Sequence, residues 1–214
     1  MSKSSEDTAA TRREILDRLV RYAGDDAVAQ VEKIAKLLGT GRLEQGRERL
    51  TTLDAQIGGY GIHSRLEADA AGEEPYESND RPLYRPIDYV IMGLNHPQLE
   101  WYARDIAEMA CVHVEGVIKR FVERRNLLER FRRSPLGRLL HTKPVKKALP
   151  HTVWEDLCWL NREVYTHAKH EFGWRDEAKE ERGGHLFTLE EALAIYVIAR
   201  HLGVEVTQAT ERAP

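Results

Sequence analysis

The passage TLEEALAIYVIARHLG, residues 188–203, leaves the backbone little choice. Thr188 with Glu191 three residues on is a capping box, in which a hydroxyl and a carboxylate satisfy backbone N–H groups at a helix start. Apolar residues then recur at three- and four-residue spacing with no breaker before Gly203, which predicts a helix over 188–203. The same period returns along the chain, and no alternating segment or hairpin signal competes with it. Leu, Ala, Glu and Arg dominate and aromatics are only 7%, a balance that favours helix over strand. The expected fold class is all-α: an antiparallel helical bundle with additional N-terminal helices.

Residues 1–58 read as three short amphipathic helices. Ile15, Leu16, Leu19 and Val20 lead to a stop at Gly24. Asp25 or Asp26 then caps a helix bearing Val28, Val31, Ile34, Leu37 and Leu38, ended by Gly39. Leu43, Leu50, Leu53 and Ile57 line a third, closed by Gly58-Gly59. Residues 59–96 are punctured by Gly and Pro and are acidic in their middle, as in a linker or crossover, with IDYVIMGL (87–94) apolar enough to anchor on the body. A bundle is expected over 97–203 and a tail over 204–214. Its first helix begins near Pro97, carries Tyr102, Ile106, Met109, Ala110, Val114, Val117, Ile118 and Phe121 on one face, and stops by Ser134-Pro135. A basic connector follows, and then a helix over about 151–172.

Charge is distributed unevenly. The whole chain carries 32 Lys/Arg against 35 Asp/Glu, yet from Val112 to Lys147 eleven Lys or Arg face three Glu, a local excess of eight positive charges. Such a stretch concentrates polyanions, or is a solvated face balanced by acids elsewhere. No apolar run approaches the roughly 20 residues that span a bilayer. No signal-peptide core opens the chain, and Cys111 and Cys158 read as reduced thiols, so a cytoplasmic protein is expected.

The densest polar passage is WLNREVYTHAKHEF, residues 159–172. On a regular wheel of about 100° per residue, Trp154, Leu157, Cys158, Asn161, Val164, Tyr165 and Ala168 form the core stripe. Asn161 at its centre needs a partner across the helix interface. Arg162 and His167 fall on opposite flanks of that stripe and His170 faces away. In one regular helix the pair cannot converge, so a joint site needs a distorted helix end or a second copy of the helix across a dimer axis.

Arg162-Glu-Val-Tyr-Thr-His167 resembles the Arg-x4–6-His signature of HEPN domains, and LNREVYTHAKHEF resembles a phrase found in HEPN-like proteins. Glu115-Gly-Val-Ile-Lys119-Arg120 matches the family's Glu-x3-Lys/Arg feature on an earlier helix. The resemblance covers roughly 97–203. It implies a homodimer that binds or cleaves RNA without metal, in a defence or toxin–antitoxin context, with RNA and a protein antitoxin as expected partners. Arg162 would clamp the transition-state phosphate and His167 act as acid and base, with no cofactor or metal. Glu115, Lys119, Arg120, Asn161, Tyr165, Lys169 and His170 would serve binding.

Residue by residue, other readings stand beside these. Arg162 and Glu163 also suit a solvated surface, and His167 and His170 a helix end favoured by the dipole. Glu115 with Lys119 suits a simple i,i+4 ion pair. His113, at the edge of the core stripe, reads as a satisfied core histidine. The alternative function is a non-catalytic helical interaction module.

Overall fold

The computed structural model describes residues 3–58, 86–94, 99–124, 134–169 and 187–211, and among these every regular element is helical. Most of the acidic Gly/Pro-rich stretch, Arg125, Arg130, Arg132 and Arg133 of the basic stretch, and His170 lie outside the described residues. The elements are α1 (Lys3–Ala23), α2 (Asp26–Gly39), α3 (Leu43–Ile57), α4 (Pro86–Gly93), α5 (Leu99–Arg124), α6 (Leu136–Leu140), α7 (Lys143–Ala148) and α8 (His151–Trp159). A π-helical segment, π1 (Leu160–Tyr165), continues α8 into α9 (Thr166–Lys169), and α10 (Leu189–Glu211) follows.

The last helix is the axis of the fold. Its capping box forms as expected: Glu191 N–H donates to Thr188 Oγ1 at 3.1 Å, and Thr188 N–H to Glu191 Oε2 at 3.0 Å. Every residue from Glu191 to Arg200 is buried, because α10 is packed by α5, α1, α2 and α3 on several sides. The helix does not stop at Gly203 but continues to Glu211, so the expected tail is largely helix. Gly203 is there for close approach: a Cβ at this position would lie 2.7 Å from His113 Nε2 on α5.

An arginine buried inside an apolar helix requires a counterion, and α3 supplies one. Arg200 Nε donates to Asp54 Oδ1 at 2.7 Å, Tyr196 Oη donates to the same oxygen at 2.6 Å, and Arg200 Nη2 reaches Gly58 O at 2.7 Å. His113 Nε2 lies 3.3 Å from Arg200 Nη1, so this core histidine is part of the same network. The helices of residues 1–58 and those after 97 bury one common core, to which Ile15, Leu19, Val31 and Leu50 contribute beside Val114, Ile118 and Ile195.

The glycine stops at Gly24 (φ 81°) and Gly58 (φ 73°) hold, whereas Gly39 is the last residue of α2 and the left-handed glycine after it is Gly41, at φ 77°. The Asp25 cap does not: it occupies the cap position with helical φ/ψ, a geometry that aims its carboxylate away from the open N–H groups, and it makes no side-chain cap bond. Residues 87–94 are anchored as anticipated, with Ile87, Val90 and Leu94 buried and α4 packed against α5. The basic connector is more structured than a loop. Leu136, Leu139, Leu140 and Val145 turn inward from two short helices, which leave Arg138, Lys143, Lys146 and Lys147 exposed. No helix among the described residues is long and apolar enough to cross a membrane.

Candidate functional site

The polar helix departs from the regular wheel. In α8 the buried positions are Val153, Asp156, Leu157 and Trp159, continued by Leu160, Val164, Tyr165 and Ala168. Trp154, Cys158 and Asn161, which the wheel assigns to the core stripe, are half-exposed instead. The inward face is therefore rotated towards Asp156, whose carboxylate is only 2% exposed. It is tolerated there because three donors converge on it from α1: Arg18 Nε at 2.9 Å, Arg21 Nη1 at 2.7 Å and Tyr22 Oη at 2.8 Å. Burial and Asp156 together push the Tyr22 phenol well above its ordinary range.

Over 160–165 the backbone opens into π-helix, and the Thr166 N–H bonds back to Asn161 O, five residues earlier. The Thr166 hydroxyl donates to the same carbonyl at 2.8 Å, which gives the widened turn a second anchor. Wider turns matter for the Arg162/His167 pair. A π-turn holds about 4.4 residues against 3.6, and so shrinks the angular separation of positions five apart from about 140° to below about 90°. The distorted helix end that a joint site within one chain requires is present at the motif itself.

The other predicted residues fall into two groups. On the α5 side, Glu115 accepts from Lys119 Nζ through Oε1 and from Tyr165 Oη through Oε2 at 2.9 Å, and Lys169 Nζ sits 5.3 Å from the Tyr165 ring centroid. Glu115–Lys119 is thus an i,i+4 ion pair that also ties α5 to π1. Burial, and then Glu115, hold the Tyr165 phenol protonated far above its ordinary range. Arg120 pairs with Glu123 at 3.1 Å on the neighbouring surface. His167 is half-buried beyond π1.

Facing the other way, Arg162 and Asn161 line a cleft of about 690 Å³ with Arg18, Arg21, Trp154 and Cys158. Arg162 is 70% exposed, and its Nε donates to Glu163 Oε1 at 2.6 Å, which holds the guanidinium charged and in a fixed plane. Asn161 has no room to move towards α6, where a Cβ on Gly137 would stand 2.9 Å from its Nδ2. Burial raises the Cys158 thiol pKa, while Arg162 and Lys146 act in the opposite direction.

Asp156, Arg18 and Arg21 were not legible as site residues, although Arg18 and Arg21 stand one helical turn apart and Asp156 interrupts an apolar pattern at 153, 157, 160 and 164. Among the described residues no group of three or more His, Cys, Asp or Glu is arranged to hold a metal. No family model, curated protein or solved structure matches the chain.

Proposed function

We propose that this chain is a HEPN-like RNA-binding protein whose Arg162/His167 face engages the RNA phosphate backbone and cleaves it without metal. The observation that supports the reading is the π-helical segment over 160–165, whose wider turns reduce the angular separation expected for positions five apart. In the reaction, His167 takes the proton of a 2′-hydroxyl as its oxygen attacks the adjacent phosphorus. The P–O5′ bond breaks, leaving a 2′,3′-cyclic phosphate, and a protonated histidine returns a proton to the departing 5′-oxygen. Arg162 balances the charge that builds on the phosphoryl oxygens, a role for which a permanently charged planar fork is suited. The setting is a cytoplasmic homodimer in a defence or toxin–antitoxin context, with the helices after 97 packed antiparallel.

One contact favours the alternative, a non-catalytic interaction module: Glu163 holds Arg162 at 2.6 Å and competes with phosphate for it. The test uses a labelled single-stranded RNA incubated with EDTA and the full-length protein. Cleavage to cyclic-phosphate ends, lost in Arg162→Ala and His167→Ala and enhanced or unchanged in Glu163→Gln, supports the nuclease. Binding without cleavage, weakened in Arg162→Ala and strengthened in Glu163→Gln, leaves an RNA-binding protein. Neither binding nor cleavage at high protein concentration refutes the reading and favours the interaction module.

A further inference from the structure

The cleft beside π1 offers more than one arginine. Arg21 from α1 is 52% exposed and is held through Nη1 by Asp156, just as Arg162 is held through Nε by Glu163. In each case a carboxylate occupies part of the guanidinium fork, and both residues line the same cleft. Arg18 is differently used: Nε is on Asp156, Nη1 on Glu14 O, and its guanidinium carbon stacks 4.1 Å from the Trp159 ring centroid. Two acids also line the cleft. Asp156 is buried beneath three donors, and Glu155 pairs with His151 at 3.2 Å.

Trp154 forms the aromatic wall. Its indole N–H donates to Leu140 O at 2.9 Å, which fixes the ring plane. The imidazoles of His141 and His151 meet it edge-on at 5.8 and 6.0 Å, and Lys146 Nζ lies over one face of the ring, 4.3 Å from its centroid. A rigid half-exposed indole, ringed by basic groups and sharing a cleft with two anchored guanidiniums, combines a stacking surface with anion donors. The volume, about 690 Å³, is in the range of small-molecule sites.

We propose that this cleft binds a nucleotide, its phosphate between Arg21 and Arg162 and its base against the Trp154 indole. The chemistry is shared by a free mononucleotide and by one nucleotide of a single strand. For the strand the inference rests on the RNA reading above and deepens it, since α1 then becomes part of the RNA site and each chain holds a complete subsite. Stacking makes the cleft tolerant of base identity.

Isothermal titration of the full-length protein with adenosine 5′-monophosphate, adenosine, inorganic phosphate and a uridine 12-mer tests this. The monophosphate is expected to bind about tenfold or more tightly than adenosine or phosphate alone, and Trp154→Leu to weaken it by about tenfold while Trp154→Phe largely restores it. Arg21→Gln and Arg162→Gln should each weaken it as well. Because Arg21 also anchors Asp156, circular dichroism checks the Arg21→Gln fold, and exposed Arg162 carries the test if that variant unfolds. Monophosphate binding that depends on Trp154 and the arginines, without binding of the 12-mer, keeps the cleft and removes the RNA reading. Binding of the 12-mer that is lost in Arg162→Ala but unmoved by Arg21→Gln and Trp154→Leu keeps the RNA reading and overturns the cleft. Absence of monophosphate binding to the folded protein, with 12-mer affinity indifferent to Trp154, overturns it too.

Discussion

Replacing Arg200 by Met should be among the most damaging single substitutions in this chain, although it removes a charge from the core and keeps most of the side-chain volume. The guanidinium is 1% exposed and Asp54 fully buried, at 2.7 Å from each other. Asp54 Oδ2 makes no hydrogen bond, so Oδ1 carries all the compensation, from Arg200 and Tyr196. With Arg200 gone, the carboxylate keeps one neutral hydroxyl donor, and Gly58 O loses its bond as well. Removing one member of a buried ion pair costs about 3–5 kcal/mol, because the remaining charge is left uncompensated. Against a total stability of about 5–15 kcal/mol that is a large share, and in a chain of this length it lowers Tm by about 6–20 °C. Urea unfolding followed at 222 nm measures it. The double variant Asp54→Leu/Arg200→Met removes both charges, so it should be no less stable than Arg200→Met alone. A cost below about 1 kcal/mol for the single variant, or a double variant as unstable as the sum of the two singles, refutes the assignment of this pair as the charge-balancing contact of the core.

Other outcomes follow from the same geometry. Burial first, and then Arg200, lower the pKa of His201, which stacks on Tyr22. The unfolded chain therefore takes up a proton near the ordinary value of 6.5 that the folded chain resists; this contribution to stability is present above that pH and is lost as pH falls below it. Denaturant titrations at pH 7.5 and pH 5.5 should show a smaller loss on acidification in His201→Gln than in the parent. Gly137→Ala should change stability little, since the displaced atom is the end of the Asn161 side chain, but should weaken ligand binding at the cleft. Gly203→Ala pushes instead on His113 within a buried network, and should cost about 1–3 kcal/mol in the same unfolding assay. Cys158 should react with iodoacetamide more slowly than a free thiol at pH 8, and more slowly still in Arg162→Gln, where a group that lowers its pKa is gone. Faster reaction in that variant would contradict the placement of Arg162 beside the thiol.

The helices are readable because their signals are local. A capping box at Thr188, glycines at 24 and 58, and apolar residues at helical spacing depend on neighbours within a turn. What escapes depends on partners far along the chain. The wheel puts Asn161 in the core with Trp154 and Cys158, yet that face is half-exposed already within the regular α8, because the inward face is turned towards the buried Asp156. Asp156 is buried because arginines some 135 residues earlier neutralise it, and no pattern within α8 announces them. Arg200 does leave a trace, as the one cation inside the buried run of α10, and Asp54 shares a helix face with Leu50 and Leu53. A lone cation on one apolar face and a lone acid on another are complementary, and their pairing ties residues 1–58 to the later bundle.

That tie makes the sequence-based boundary near residues 59–96 testable. A fragment of residues 97–211 keeps Arg200 and Asp156 but loses Asp54, Arg18, Arg21 and Tyr22, so two buried charges are stripped of their compensation at once. It also exposes the faces of α10 that α1, α2 and α3 cover. With about 3–5 kcal/mol at stake for each stranded charge, the fragment should be unfolded or aggregated at neutral pH, with a weak helical signal and no cooperative melt. Adding residues 1–58 as a separate chain should restore helicity by supplying the missing counterions. A fragment that melts cooperatively by itself would show that the N-terminal helices decorate an independent bundle, and the counterion argument would fail with it.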